Sequence, residues 1–120
     1  MAKWFRVTED STGEVILPKL RQASNFWERF RGLQLSKPLP PDQGLLLTPC
    51  RSLHTHWMRF SIDVIWLDRD QNVVDIRRDV RPWRFVFGPK NAHSAIETTA
   101  GSLLPMAVGT TLNWDEVNGP

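Results

Sequence analysis

Eight residues, Ser61 to Asp68 (Ser-Ile-Asp-Val-Ile-Trp-Leu-Asp), restrict this chain more than any others. Read as a strand, they send Ile62, Val64 and Trp66 to one face and Asp63, Ile65 and Leu67 to the other. Both faces are then mostly apolar, and such a strand belongs inside a sheet or barrel that is covered on each side. Asp68 to Asn72 supplies turn residues, and Val73 to Val80 returns as a second strand with Val74 and Ile76 on one side. The expected class is α+β, mainly β: a compact, single-domain sheet or barrel-like body over residues 1–120, with one short helix packed on it.

The remaining segments fit that frame. Trp4 to Thr8 and Glu14 to Leu17 read as a hairpin around Asp10-Ser-Thr-Gly13, and Pro18 is expected to end the second strand because it has no N–H for a ladder. From Ser24 the period changes. Phe26, Trp27, Phe30 and Leu33 fall on one helical face and Glu28, Arg29 and Arg31 on the other, with Ser24 as N-cap and Gly32 as C-cap. So short a helix needs its aromatic face packed on the sheet. Leu35 to Gln43, with three prolines, reads as a loop, and Gly44 to Thr48 as a buried strand. Arg81 to Lys90 is an edge strand or an extended loop, and periodicity leaves Ala92 to Thr99 open between helix and strand. Leu103 to Ala107 is expected to form one turn before Thr110 to Val117 closes the sheet.

Composition narrows the function classes. The chain is 41% hydrophobic and 23% charged, which is ordinary for a globular domain and excludes disorder by composition. Fifteen basic and thirteen acidic residues leave a net charge of only +2, and the arginines are interspersed with acids, so a nucleic-acid partner is not expected. A single cysteine, Cys50, excludes an internal disulfide. No run approaches the roughly 18 apolar residues of a membrane span. The first ten residues lack the apolar core of a signal peptide, so the expected location is cytoplasmic.

An ordered set of motifs resembles the bacterial and archaeal family catalogued as domain of unknown function number 192. Phe26-Trp-Glu-Arg-Phe-Arg-Gly-Leu33 is similar to its helix followed by Arg-x-Gly-Leu, and Gly44-Leu-Leu-Leu47 to its Gly-apolar strand. Ser52 to Asp68 resembles its signature of Met-basic, an Asp before an apolar strand, and that strand. Ile96-Glu97 with Ala100-Gly101 resembles its Leu-Glu-x-x-Ala-Gly element. The resemblance implies a compact, mainly β fold with a small helical part, and it implies no activity. His56, Ser61 and Gln71-Asn72 depart from the usual pattern, so no family-wide role attaches to His56.

The unusual residues gather between Cys50 and Asp68. His54 and His56, two apart on a strand, would share a face and could hold a divalent metal if Asp63, Glu97 or His93 supplied a third ligand. The plainer alternative is a hydrogen-bonded His54 and an exposed His56. Cys50 with His54, oriented by Asp63, has the composition of a thiolate nucleophile, but a spacing of four brings side chains together only on a helix, and Pro49 argues against one. Arg59 and Asp63 are either structural, as an Arg–carboxylate pair or a set of hydrogen bonds to loop backbone, or Arg59, with Arg51, offers a fork of donors to an anion. Glu97, between Ile96 and Thr98, invites the same two readings. Most of the six tryptophans fall in periodic segments that point to the core, whereas Trp83, flanked by Pro82 and Arg84, is the one expected on a contact surface.

The preferred reading is a non-enzymatic binding or accessory protein. Its groove would be bordered by His54–Arg59 and Arg81–Phe87, with His54, Arg59, Asp63, Trp83 and Glu97 facing a small anionic ligand or a protein partner. No cofactor is expected. The alternative is a small hydrolase or lyase built on a His54/His56/carboxylate metal centre or on Cys50.

Overall fold

The computed structural model describes residues 3–23, 25–34, 37–102 and 106–118, the side chains of Phe26 and Trp27 excepted. The strand at Ile62–Leu67 is buried at all six positions. In chain order the elements are β1 (Trp4–Glu9), β2 (Val15–Gln22), α1 (Phe26–Arg31), β3 (Gln43–Leu47), β4 (Ser52–His54), β5 (Ile62–Leu67), β6 (Val73–Val80), β7 (Phe85–Phe87), β8 (Ser94–Thr99) and β9 (Leu112–Val117). Seven strands form one sheet in the order β6-β5-β8-β3-β2-β1-β9, and β4 and β7 form a separate two-stranded ribbon. All pairings are antiparallel except β2 with β3. A parallel pair needs a crossover, and the segment carrying α1 provides it.

The sheet curls until its outermost strands meet at one end. Asn72 bridges Thr111, Val73 N–H donates to Thr110 O at 2.8 Å, and Leu112 N–H donates to Gln71 O at 2.9 Å. Inside the curl lie Val7, Leu20, Leu46, Ile65, Val73, Ile96 and Leu112, one from each strand of the sheet. The opposite side chains of the central strands, Leu45, Leu47, Ile62, Val64, Trp66 and Ala95, form a second core on the outer face. Val86 of β7, Met58, Ala23 and Leu33 cover it. This is the mainly β body expected from the sequence, and the two faces read for β5 correspond to these two cores. Gly88 lets the chain after β7 lie on the largest buried side chain: a Cβ there would come within 2.8 Å of Trp66 Cε3.

Several local expectations change. Pro18 does not end β2, which runs on to Gln22. It falls at a bulge, where Leu17 and Leu20 face Val7 and Phe5, and the parallel ladder with β3 starts only at Lys19, so no partner asks Pro18 for a proton. Ser24 lies outside the described residues, and the N-cap is Asn25, whose Oδ1 accepts Glu28 N–H at 2.9 Å. Gly32 does close the helix, with φ +55° and its N–H on Glu28 O at 2.8 Å. Phe30 leaves the expected core-facing stripe and is 60% exposed, because six residues make too few turns to bury a full aromatic face. Ala92 to Thr99 resolves as strand from Ser94, placed between β5 and β3. Residues 103–105 of the expected turn lie outside the described residues. No helix among the described residues is long and apolar enough to cross a membrane.

Candidate functional site

The β4–β7 ribbon is where the fold departs from tidy burial. β7 alternates as every strand does, but it turns Val86 inward and leaves Phe85 and Phe87 outward, 68% and 67% exposed. The inward side takes the smaller branched side chain into the outer core that also holds Val64; the rings take the open side. They join other exposed rings. Phe30 meets His54 edge-on (5.8 Å between centroids), His54 meets His56 (4.9 Å), His56 meets Trp83 (5.0 Å), and Trp83 meets Trp57 (4.8 Å). Phe85 lies 4.9 Å from His56 and 6.4 Å from Phe87, nearly parallel to it. Trp57 and Trp83 are themselves 60% and 51% exposed. A groove of ≈ 310 Å³ between α1 and the ribbon is lined by Arg29, Phe30, Leu53, His54, Phe85 and Phe87.

One buried residue fixes this face. Thr55 is almost fully covered, and its Oγ1 donates to Arg81 O (2.7 Å) and accepts Arg84 N–H (2.8 Å). Its backbone carbonyl accepts Trp83 N–H at 3.1 Å and Met58 N–H at 3.2 Å. The two turns so anchored hold Trp57 at φ +66° and Trp83 at φ +67°. A bulky residue in the left-handed region costs on the order of 1–3 kcal/mol and persists only where surrounding bonds impose it.

The electrostatics of the imidazoles and their neighbours are set by burial. His54 Nδ1 lies 3.4 Å from Gln34 Nε2, and burial, then the adjacent His56, push its pKa below the ordinary histidine value. His56 Nδ1 is enclosed without a hydrogen-bond partner. Burial, then Glu97, push the Cys50 thiol up to about 11, and its Sγ donates to Ser52 O at 3.3 Å, so at neutral pH it is a protonated thiol. Burial raises Glu97 to about 8. Its carboxyl sits against Gly32, where an added Cβ would be 2.4 Å from Oε1. Among the described residues no three His, Cys, Asp or Glu side chains are grouped closely enough to hold a metal ion.

The residues singled out from the sequence therefore separate. His54, His56 and Trp83 come together through ring contacts. Asp63 turns away from them: its Oδ1 accepts Asp79 N–H and its Oδ2 accepts Gly101 N–H, both at 2.9 Å, with Arg78 at 3.8 Å instead of Arg59. Arg59 is exposed, Arg51 donates to Lys90 O at 3.0 Å, and Glu97 is buried beneath α1. The sequence reading placed Trp57, Phe85 and Phe87 inside the two segments bordering its groove without naming them as surface groups, put Phe30 on the core-facing stripe, and missed Thr55 as their anchor. One signal was available: in Phe85-Val-Phe87 the strand alternation forces both phenylalanines onto one side, whichever side that is.

Comparison with known proteins places the chain in a family and its fold among solved structures. The model of the domain of unknown function 192 family, described as "Uncharacterized ACR", matches residues 6–114. A UPF0127 protein of Thermococcus sibiricus is 35% identical over 113 residues, covering 86% of this chain and 70% of that one. One from Pyrococcus furiosus is 34% identical over 110 residues, covering 88% and 94%. Among crystal structures, a candidate transcription regulator of Sinorhizobium meliloti has the same fold, with a TM-score of 0.80 at 18% identity over 95% of this chain and 94% of that one. A protein of unknown function from Novosphingobium aromaticivorans matches with a TM-score of 0.78 at 18% identity, covering 94% and 85%. The motifs read from Phe26 to Gly101 fall within the matched span, and the chain belongs to the domain of unknown function 192 family.

Proposed function

We propose that this protein is a non-enzymatic binding module, and that the aromatic–imidazole face of the β4–β7 ribbon receives a segment of another protein. The observation that carries the reading is five aromatic side chains (Phe30, Trp57, Trp83, Phe85 and Phe87), each at least half exposed and linked through His54 and His56. Contiguous exposed aromatic surface of this kind marks interaction sites, and tryptophan and phenylalanine are among the residues enriched in interface cores. Two tryptophans held in a costly backbone conformation by one buried threonine support the same reading, since strain tends to be kept where a side chain must be presented. A protein segment is favoured over a second copy of the chain because arginines crowd beside the face. A two-fold contact would set like charges against each other.

The test is a thermal-shift screen of peptides, small anions and single-stranded oligonucleotides, followed by chemical-shift mapping of the hits. Peptide hits whose perturbations centre on His54, Trp57 and Trp83 are expected. Hits confined to oligonucleotides or small anions, or perturbations far from those residues, would remove the proposal. So would concentration-dependent dimerisation abolished by Trp83→Ala.

A further inference from the structure

Beside the aromatic face lies a second groove, of ≈ 420 Å³, between the end of β6 and β7. Arg77, Arg78, Arg81 and Arg84 line it together with Phe85 and Phe87, and Asp79 is its only lining carboxylate. Two strand edges border it. β6 is the terminal strand of the large sheet, and among the described residues its outer edge is held only at its start, by the bridge at Asn72 and by Val73, which bonds Thr110 O and Gly109 N–H. Among the described residues β7 pairs with β4 on one side alone. Thr55 N–H bonds Arg84 O, and Gly88 N–H bonds Arg51 O. In an antiparallel ladder the bonded residues alternate, so residues 84, 86 and 88 face β4, and the N–H and C=O of Phe85 and Phe87 point to the outer edge.

We propose that this groove takes an extended acidic segment of the partner protein, added as a third strand along the outer edge of β7. The inference rests on the binding-module reading and names the chemistry of its partner. A two-stranded ribbon is the least stable form of sheet, and a third strand completes it. Strand addition supplies affinity through the main-chain groups of Phe85 and Phe87, and specificity comes from side chains. Here the specificity is electrostatic. Arg77 already contacts Asp75 (3.0 Å) and Arg78 is 3.8 Å from Asp63, which leaves Arg81 and Arg84 as the main guanidinium forks for incoming carboxylates. Arg84 spends one nitrogen on the carbonyls of Pro82 and Trp83 at 3.4 Å, which holds it at the rim. A basic strand would meet the same arginines as repulsion, so the edge discriminates as well as attracts.

The experiment titrates the 120-residue, nitrogen-15-labelled chain with a capped eight-residue peptide alternating valine and glutamate, and with its valine–lysine counterpart. The glutamate peptide is expected to shift the amides of Phe85 and Phe87 and slow their hydrogen exchange, with affinity falling as salt is added. The lysine peptide should bind at least tenfold more weakly. The Arg81→Glu/Arg84→Glu double variant should reverse that order, a result that loss of folding cannot imitate. Equal binding of the two peptides, or silent Phe85 and Phe87 amides at millimolar glutamate peptide, overturns the inference. If those amides stay silent while other peptides perturb His54, Trp57 and Trp83, the acidic strand is wrong and the aromatic face stands. If the glutamate peptide engages β7 while nothing perturbs the tryptophans, the face is wrong and the strand edge stands.

Discussion

β5 and β7 follow the same two-residue alternation and end with opposite surfaces. β5 has the curled interior on one side and the ribbon on the other, and all six of its side chains are buried. β7 is itself the last layer, so only Val86 is covered and both phenylalanines face out. The tryptophans divide in the same way, Trp66 with no exposure and Trp57 and Trp83 with more than half. Side-chain hydrophobicity does not distinguish the two strands. The number of layers stacked above each of them does.

That contrast can be broken most directly at the tryptophans. Trp66→Ala should lose about 3–5 kcal/mol of stability in urea unfolding, the usual range for emptying a closed aromatic site. A loss no larger than that of Trp57→Ala would dissolve the distinction between the layers.

Glu97 tests whether the covered side is as closed as its geometry implies. Its folded pKa is raised from 4.5 to about 8, so between those values the folded state binds more protons than the unfolded chain, and stability falls as pH rises. The contribution is complete below about pH 4.5 and lost by about pH 8. Wild type should therefore weaken across that window, by up to a few kcal/mol, and Glu97→Gln should remove the slope. Matching pH profiles for the two proteins would mean that water reaches the carboxyl.

The smallest effect belongs to the exposed face. Trp57→Ala should change stability by no more than about 0.5 kcal/mol, because it empties no cavity. A loss of 2 kcal/mol or more, on the order of a core truncation, would show that this face is structural.

The sequence made β5 and β6 legible because a short apolar run, turn residues and a second β-type run follow one another directly, which leaves few other folds. It could not settle β8. Ser94-Ala-Ile-Glu-Thr-Thr99 mixes small and polar residues, and its burial comes from β5 and β3 on either side, which are pairings between distant segments. Pro18 was misread for the same reason, since the bulge that accommodates it belongs to the pairing with β1 and not to β2 alone. At the candidate site, the likeness of His54 to His56 and the prominence of Trp83 were visible in the chain. The exposure of Phe30, Phe85 and Phe87 was not, because large aromatic residues are read as core until the layer above them is known to be missing. Asp63 drew notice for its charge among apolar neighbours, and bonds to loop backbone were one expected outcome; that the amides are those of Asp79 and Gly101 is something no residue pattern announces.

The short clasp of Asn72 and Val73 on Gly109 to Thr111 has a consequence for the whole sheet. A cylinder zipped along its full length would give the outer side of β6 to β9, and a bare margin would then exist nowhere on the wall. Among the described residues the sheet is fastened only at its foot, and the far half of β6, from Arg77 to Val80, lies instead beside the groove it shares with β7. The short clasp that leaves the wall unzipped also leaves the main chain of that half of β6 without a neighbouring strand on its outer side among the described residues.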